Sequence, residues 1–235
     1  MTRAARRNSS PFFMSALTLV LATAPLLFSA CSMVRVAQQV PAPPPPAPES
    51  DASPSSGYHY SLAVLQNLSG QTDGAIRQME RAIERDPKSA FLKTELAALY
   101  MDKGDSRKAI ALCEEALAEE PNAIDVHLLL GNVYLTIKDY QSAAKVFRKA
   151  IEIEPKNVTA HLFLGTIYAE AKQYPSALEA FEGLIRIDPD HVMGNFYHAR
   201  LLTEMKRYPE AERAFQKTLA LKPAFETALT ELAAL

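Results

Sequence analysis

PNAIDVHLLLGNVYLTIKDYQSAAKVFRKAIEIEP, residues 121–155, opens and closes on prolines 34 residues apart. Between them lie two apolar stripes. The first is Leu130, Gly131 and Tyr134, at i, i+1 and i+4; the second is Ala143, Phe147 and Ala150, at i, i+4 and i+7. Both follow a helical period rather than an alternating one. Ile137-Lys138-Asp139 separates them, so the stretch predicts a helix, a tight turn and a second helix that stops at Pro155.

Working outward, prolines recur at Pro87, Pro121, Pro155, Pro189 and Pro223, always 34 apart. Twelve residues before each stands alanine: Ala75, Ala109, Ala143, Ala177 and Ala211. Twenty-four before each stands a small residue: Ala63, Ala97, Gly131, Gly165 and Ala199. Small side chains there let the two helices of a pair approach closely. One place earlier come Leu62, Leu96, Leu130 and Leu164, with His198 as the exception. Three places later come Tyr100, Tyr134 and Tyr168, with Gln66 and Leu202 in the outer copies. The second helix repeats Met79, Cys113, Phe147, Phe181 and Phe215, which makes Cys113 a buried, free thiol. Gly70 and Gly104 stand where the first helix ends and suit a left-handed backbone, although Lys138, Lys172 and Lys206 replace glycine later. Pro175 and Pro209 open second helices, where a missing N–H costs nothing.

A 34-residue period with these residues in register resembles the tetratricopeptide repeat family. The resemblance covers residues 56–225 as five repeats ending near 89, 123, 157, 191 and 225, with ten more residues starting a sixth first helix. It implies an all-α fold over 58–235, a right-handed superhelical solenoid of antiparallel helix hairpins. The aromatic that the family carries early in the first helix is absent. His59, Lys93, His127, His161 and Asn195 hold that position, which predicts a weaker outer edge for each hairpin. In the family a second stripe on the first helices lines a concave, partner-binding groove. Here it holds Tyr60 and Val64, Phe91 and Met101, Leu128, Asn132 and Leu135, Leu162, Thr166 and Ala169, then Met193, Phe196 and Arg200. Its character is apolar with a few neutral polar groups. It lacks both the lysines of chaperone-binding members and the asparagine ladder of sugar-transferase members. The competing expectation is that these side chains pack between neighbouring repeats.

Ahead of the repeats, Arg3, Arg6 and Arg7 precede an uncharged and mostly apolar run, the layout of a secretory signal over residues 1–30. Leu27-Phe28-Ser29-Ala30-Cys31 resembles the cleavage box of bacterial lipoproteins, with Cys31 as the lipidated residue, although Phe28 departs from the usual aliphatic. Ser32 after it fits outer-membrane sorting in that class. Two alternatives are an uncleaved anchor, since the run reaches the ~20 residues that span a bilayer, and a twin-arginine signal at Arg6-Arg7. Residues 31–57 form a proline-rich tether centred on 41–48, extended at about 3.1 Å per residue.

Without the signal the chain keeps 22 basic against 27 acidic residues. No basic cluster for a phosphate backbone stands out, so nucleic acid is not expected as a partner. His59, His127 and His161 occupy one position in separate repeats, and helix axes ~8–10 Å apart keep them from sharing a metal. They are expected to be partly exposed between helices. Glu114-Glu115 and Glu119-Glu120 look like solvated helix faces. No catalytic set, cofactor or small-molecule substrate is expected. The expected function is a lipid-anchored scaffold facing the periplasm from the outer membrane, which holds a protein or peptide segment to assist a pilus, secretin or cell-wall machine. The alternative is an accessory subunit recruiting an enzyme of polysaccharide synthesis or export. A third is the front part of a longer protein, because Leu229, Leu232 and Leu235 make the final segment apolar.

Overall fold

The computed structural model describes residues 54–235, so the signal-like segment, Cys31 and the proline run lie outside the described residues. Among those described, all regular structure is helical. The helices are α1 (Ser56–Leu68), α2 (Thr72–Arg85), α3 (Ala90–Asp102), α4 (Ser106–Glu119), α5 (Ile124–Thr136), α6 (Tyr140–Ile153), α7 (Val158–Glu170), α8 (Tyr174–Ile187), α9 (Val192–Glu204), α10 (Tyr208–Leu221) and α11 (Glu226–Ala233). Each odd helix pairs with the even helix after it, and each even helix packs on the odd helix that follows. Odd helices also touch one another, α3 with α5 and α7 with α9, so they line one face.

The local chemistry sets these boundaries. Ser55, Ser89 and Asn157 accept the backbone N–H of Tyr58, Leu92 and Ala160, capping α1, α3 and α7. Each supplies a partner to a donor that the first helical turn leaves unpaired. Asp105 and Asp139 do the same for α4 and α6. Between the helices of each pair one residue is left-handed: Gly70, Gly104, Lys138, Lys172 and Lys206. The next N–H reaches back to the carbonyl five residues earlier, as in Asp105 N to Tyr100 O at 2.8 Å and Arg207 N to Leu202 O at 2.8 Å. This closing bond needs positive φ whatever the residue, so the three lysines adopt φ of 62°, 56° and 59°.

Packing turns on trades of volume. Within hairpins the small residue of the first helix faces the larger one of the second. Gly131 and Gly165 face Phe147 and Phe181, so closely that a Cβ on Gly131 would lie 2.5 Å from Phe147 Cζ. The first two repeats place Ala63 and Ala97 in that register, with Met79 and Cys113 opposite. Ala199 with Phe215 departs from this trade. A second exchange runs between hairpins. In register along the chain stand Ala82 and Leu92, Ala116 and Val126, Ala150 and Ala160, then Leu184 and Gly194. A Cβ on Gly194 would come within overlap of Leu184 Cδ2. The five alanines before the repeat prolines are all fully buried. So is Cys113, a free thiol whose burial pushes its pKa up to about 12.

Candidate functional site

The sequence placed the candidate groove on the odd helices, and the structure divides its residues by how firmly neighbouring repeats hold them. Phe91 is the open one, 54% exposed, with Tyr60 from the preceding repeat edge-on to it at 5.3 Å between centroids. Val64 lies beside them, lining a small cavity of about 90 Å³ between α1 and α3 with Asn67, Glu95 and Asp102. Met101, Leu128, Leu135, Leu162 and Met193 are half-buried and packed against the inter-repeat cores. Asn132 is half-buried, and the hydroxyl of Thr166 donates to its own helix at Leu162 O. Phe196 is covered rather than open along this stripe. It is 4% exposed, with the rings of Tyr197, Phe215 and Phe225 around it. Phe225 comes from the end of the fifth repeat, just before α11, a neighbour that the spacing along α9 could not reveal. Arg200 is exposed, lies over the Phe196 ring and pairs with Glu231 at 3.7 Å.

Two larger cavities open along the same helices. Between α3 and α5 one of about 330 Å³ is lined by Phe91, Thr94, Glu95, Glu120, Asp125 and Val126. Between α7 and α9 one of about 280 Å³ is lined by Thr166, Glu170, Lys172, Tyr174, Tyr197, Arg200 and Glu204, among others. Carboxylates in both correct the expectation of a groove with only neutral polar groups. The odd helices carry seven acids and two bases, whereas the even helices carry eleven of each. Of the two bases, Lys93 is buried on the other flank between Glu115 and Glu119, at 3.7 and 3.8 Å. Spacing at i, i+4 and i+7 missed Glu95, Asp102, Glu170 and Glu204 because they fall one residue beyond positions of that stripe, while Asp125 stands in the register of Phe91 and Met193. Running the same count one residue further along finds the first four, and the register of Phe91 itself gives the fifth.

The position that lacks the family aromatic also differs from expectation. His59 and His127 are buried, each 7% exposed, rather than partly open. His127 Nε2 and His161 Nε2 lie 3.0 Å from the carbonyls of Pro121 and Pro155, and Asn195 Nδ2 donates to Pro189 O at 3.0 Å. A proline carbonyl only accepts, so each histidine bears its proton on Nε2. The side chain thus ties the start of a first helix to the corner that delivers the chain to it, and the outer edge gains a hydrogen bond where an aromatic contact is missing. His59 Nδ1 instead lies 2.8 Å from Gln78 Oε1. These histidines serve separate corners. His198, in the leucine position, has its pKa lowered chiefly by burial, with Arg207 adding to the shift and Glu182 opposing it.

Three family models described as tetratricopeptide repeat match residues 59–89, 94–158 and 137–193, together more than half of the chain. No curated protein matches by sequence. Among solved structures, a MamA protein is 23% identical, covering 72% of this chain and 92% of its own, with a TM-score of 0.65. MamA from Desulfovibrio magneticus RS-1 is 18% identical over 72% of this chain and 96% of that one, with a TM-score of 0.66. YrrB, described as a TPR protein with an unusual peptide-binding site, is 20% identical over 74% and 89%, with a TM-score of 0.63. At these identities the likeness is one of fold.

Proposed function

We propose, since the chain belongs to the tetratricopeptide repeat family, that this interaction scaffold holds a protein segment against its odd-helix face, tethered to the outer membrane through a lipidated Cys31 and facing the periplasm. There it assists the assembly or stability of an envelope complex. The observation that carries the binding reading is the Tyr60–Phe91 pair. A large aromatic left half open on the face where cavities cluster is an anchor awaiting a partner side chain, since buried aromatics dominate protein interfaces. The peptide-binding site in the description of YrrB supports the same reading. The tether reading rests on the sequence around Cys31, and on the several acyl chains that a modified cysteine would carry at ~0.8 kcal/mol per buried CH₂.

A photo-crosslinking side chain at Phe91, and a second at the exposed Glu115 on α4 as control, tests the binding reading in cells that make the full chain. Position 91 should give one protein adduct that maps to a single short segment, and position 115 should not. Equal labelling from both sites, or none from 91, would overturn the groove. Cys31→Ser should move the protein from the membrane pellet to the soluble fraction. Retention of the variant after a high-salt wash would refute the lipid anchor.

A further inference from the structure

Resting on the groove reading above, we infer that the segment held by the first three repeats is basic and amphipathic, with Lys or Arg beside an aromatic or aliphatic anchor. The two cavities there share Glu95 and are lined by four carboxylates, Glu95, Asp102, Glu120 and Asp125, and by no base. None of the four has an ion-pair partner within 4.0 Å among the described residues. The bases nearest in sequence are engaged elsewhere: Lys93 is buried towards α4, and Lys103 pairs with Asp73 at 2.6 Å. The charge is local to this face, because acids and bases balance on the even helices.

The apolar part of the site is Phe91 with Tyr60; Glu95, Glu120 and Asp125 line the cavity that Phe91 opens on, and Asp102 lies further along, where Arg77 and Lys103 also line a cavity. A neutral or acidic segment that covered Phe91 would strip water from these carboxylates without replacing it, which is unfavourable. A segment carrying Lys or Arg offers each carboxylate a charged donor, and a guanidinium can also lie against the Phe91 ring. The same charges draw a basic segment in from solution, an attraction that weakens as salt rises.

The test selects a displayed library of random twelve-residue peptides against the full chain, in parallel with Glu95→Lys/Asp125→Lys and with Tyr60→Ser/Phe91→Ser, each confirmed folded by helix content. Glu95→Gln/Asp125→Asn replaces the charge reversal if that variant misfolds. Peptides enriched on the wild-type chain but not on Tyr60→Ser/Phe91→Ser should be rich in Lys and Arg next to Phe, Leu or Tyr. They should lose about tenfold in affinity for the charge-altered variant. Enriched peptides that need Phe91 but are neutral or acidic, or that bind the charge-altered variant equally well, would overturn the inference and leave the groove standing. No enrichment over Tyr60→Ser/Phe91→Ser would remove the groove in these repeats, and the inference with it.

Discussion

Gly131→Ala adds one methyl group at the tightest contact inside a hairpin, and its effect should depend on the residue opposite. In a helix interior alanine is favoured over glycine by about 1 kcal/mol. Here the new Cβ would lie 2.5 Å from Cζ and 2.8 Å from Cε1 and Cε2 of Phe147. Phe147 is fully buried and stacked on Phe163 at 5.2 Å, so its ring has little room to swing away. Overpacking of this kind costs about 1–3 kcal/mol, leaving a net loss of about 1 kcal/mol after the propensity gain. Phe147→Cys alone should cost about 3–4 kcal/mol by leaving a cavity. In the double variant the pair becomes that of Ala97 and Cys113 in the second repeat. The methyl then fills space, and Gly131→Ala should turn stabilising by about 1 kcal/mol. Urea melts followed by circular dichroism on all four proteins give the coupling, expected at about 2 kcal/mol. If the two substitutions add within about 0.5 kcal/mol, the volume trade is not what holds this hairpin.

Cys113, studied in a Cys31→Ser background, should resist thiol reagents in the folded protein and react only as urea opens its repeat. Fast labelling in native buffer would contradict its burial. With its pKa raised to about 12, the folded chain keeps a proton that the unfolded chain releases above its ordinary value, so this group's contribution to stability should decline as pH rises above about 9, and Cys113→Ala should remove that slope. His198 works in the other direction. Its lowered pKa means that the unfolded chain takes up a proton first as pH falls below about 6.5, so stability present above that value should be lost as the pH drops. His198→Leu, which restores the residue of the other repeats, should flatten melting temperature against pH in this range, and an unchanged slope would rule the histidine out. Lys172→Gly should raise stability by about 0.5–1 kcal/mol by relieving a left-handed lysine; a loss in the urea midpoint would show that the lysine side chain does more than tolerate the turn.

The hairpins were legible because one steric demand recurs every 34 residues. A small residue at 131 or 165 has a single explanation when a large one stands sixteen places on, and both glycines lie against the rings that this spacing selects. The left-handed turn was readable from Gly70 and Gly104, whereas the three lysines that replace glycine hide it, and their positive φ emerges only from the structure. The groove was less legible. How much of an odd helix remains open depends on how the following repeat leans on it. Stripe position alone therefore put the buried Phe196 and the open Phe91 in one class. The same gap explains Leu128 and Leu162: both are tied into inter-repeat cores, so a charge at either would test stability as much as binding. Of the histidines, His161 is half-buried as expected, whereas His127 was misjudged because its partner is a backbone carbonyl, which leaves no mark in the side-chain pattern, and His59 because its partner, Gln78, lies on the next helix.

Leu184 opposite Gly194 makes the order of the hairpins part of the fold. An array of identical units can lengthen by copying one of them, since every joint accepts every neighbour. Here a second copy of residues 158–191 spliced in after the first would bring Ala160, not Gly194, against Leu184. The joint would carry a methyl group too many, where the native one already leaves no space for a Cβ. The fourth hairpin therefore specifies its successor, and at that joint the order of the repeats is held by sterics as well as by chain connectivity.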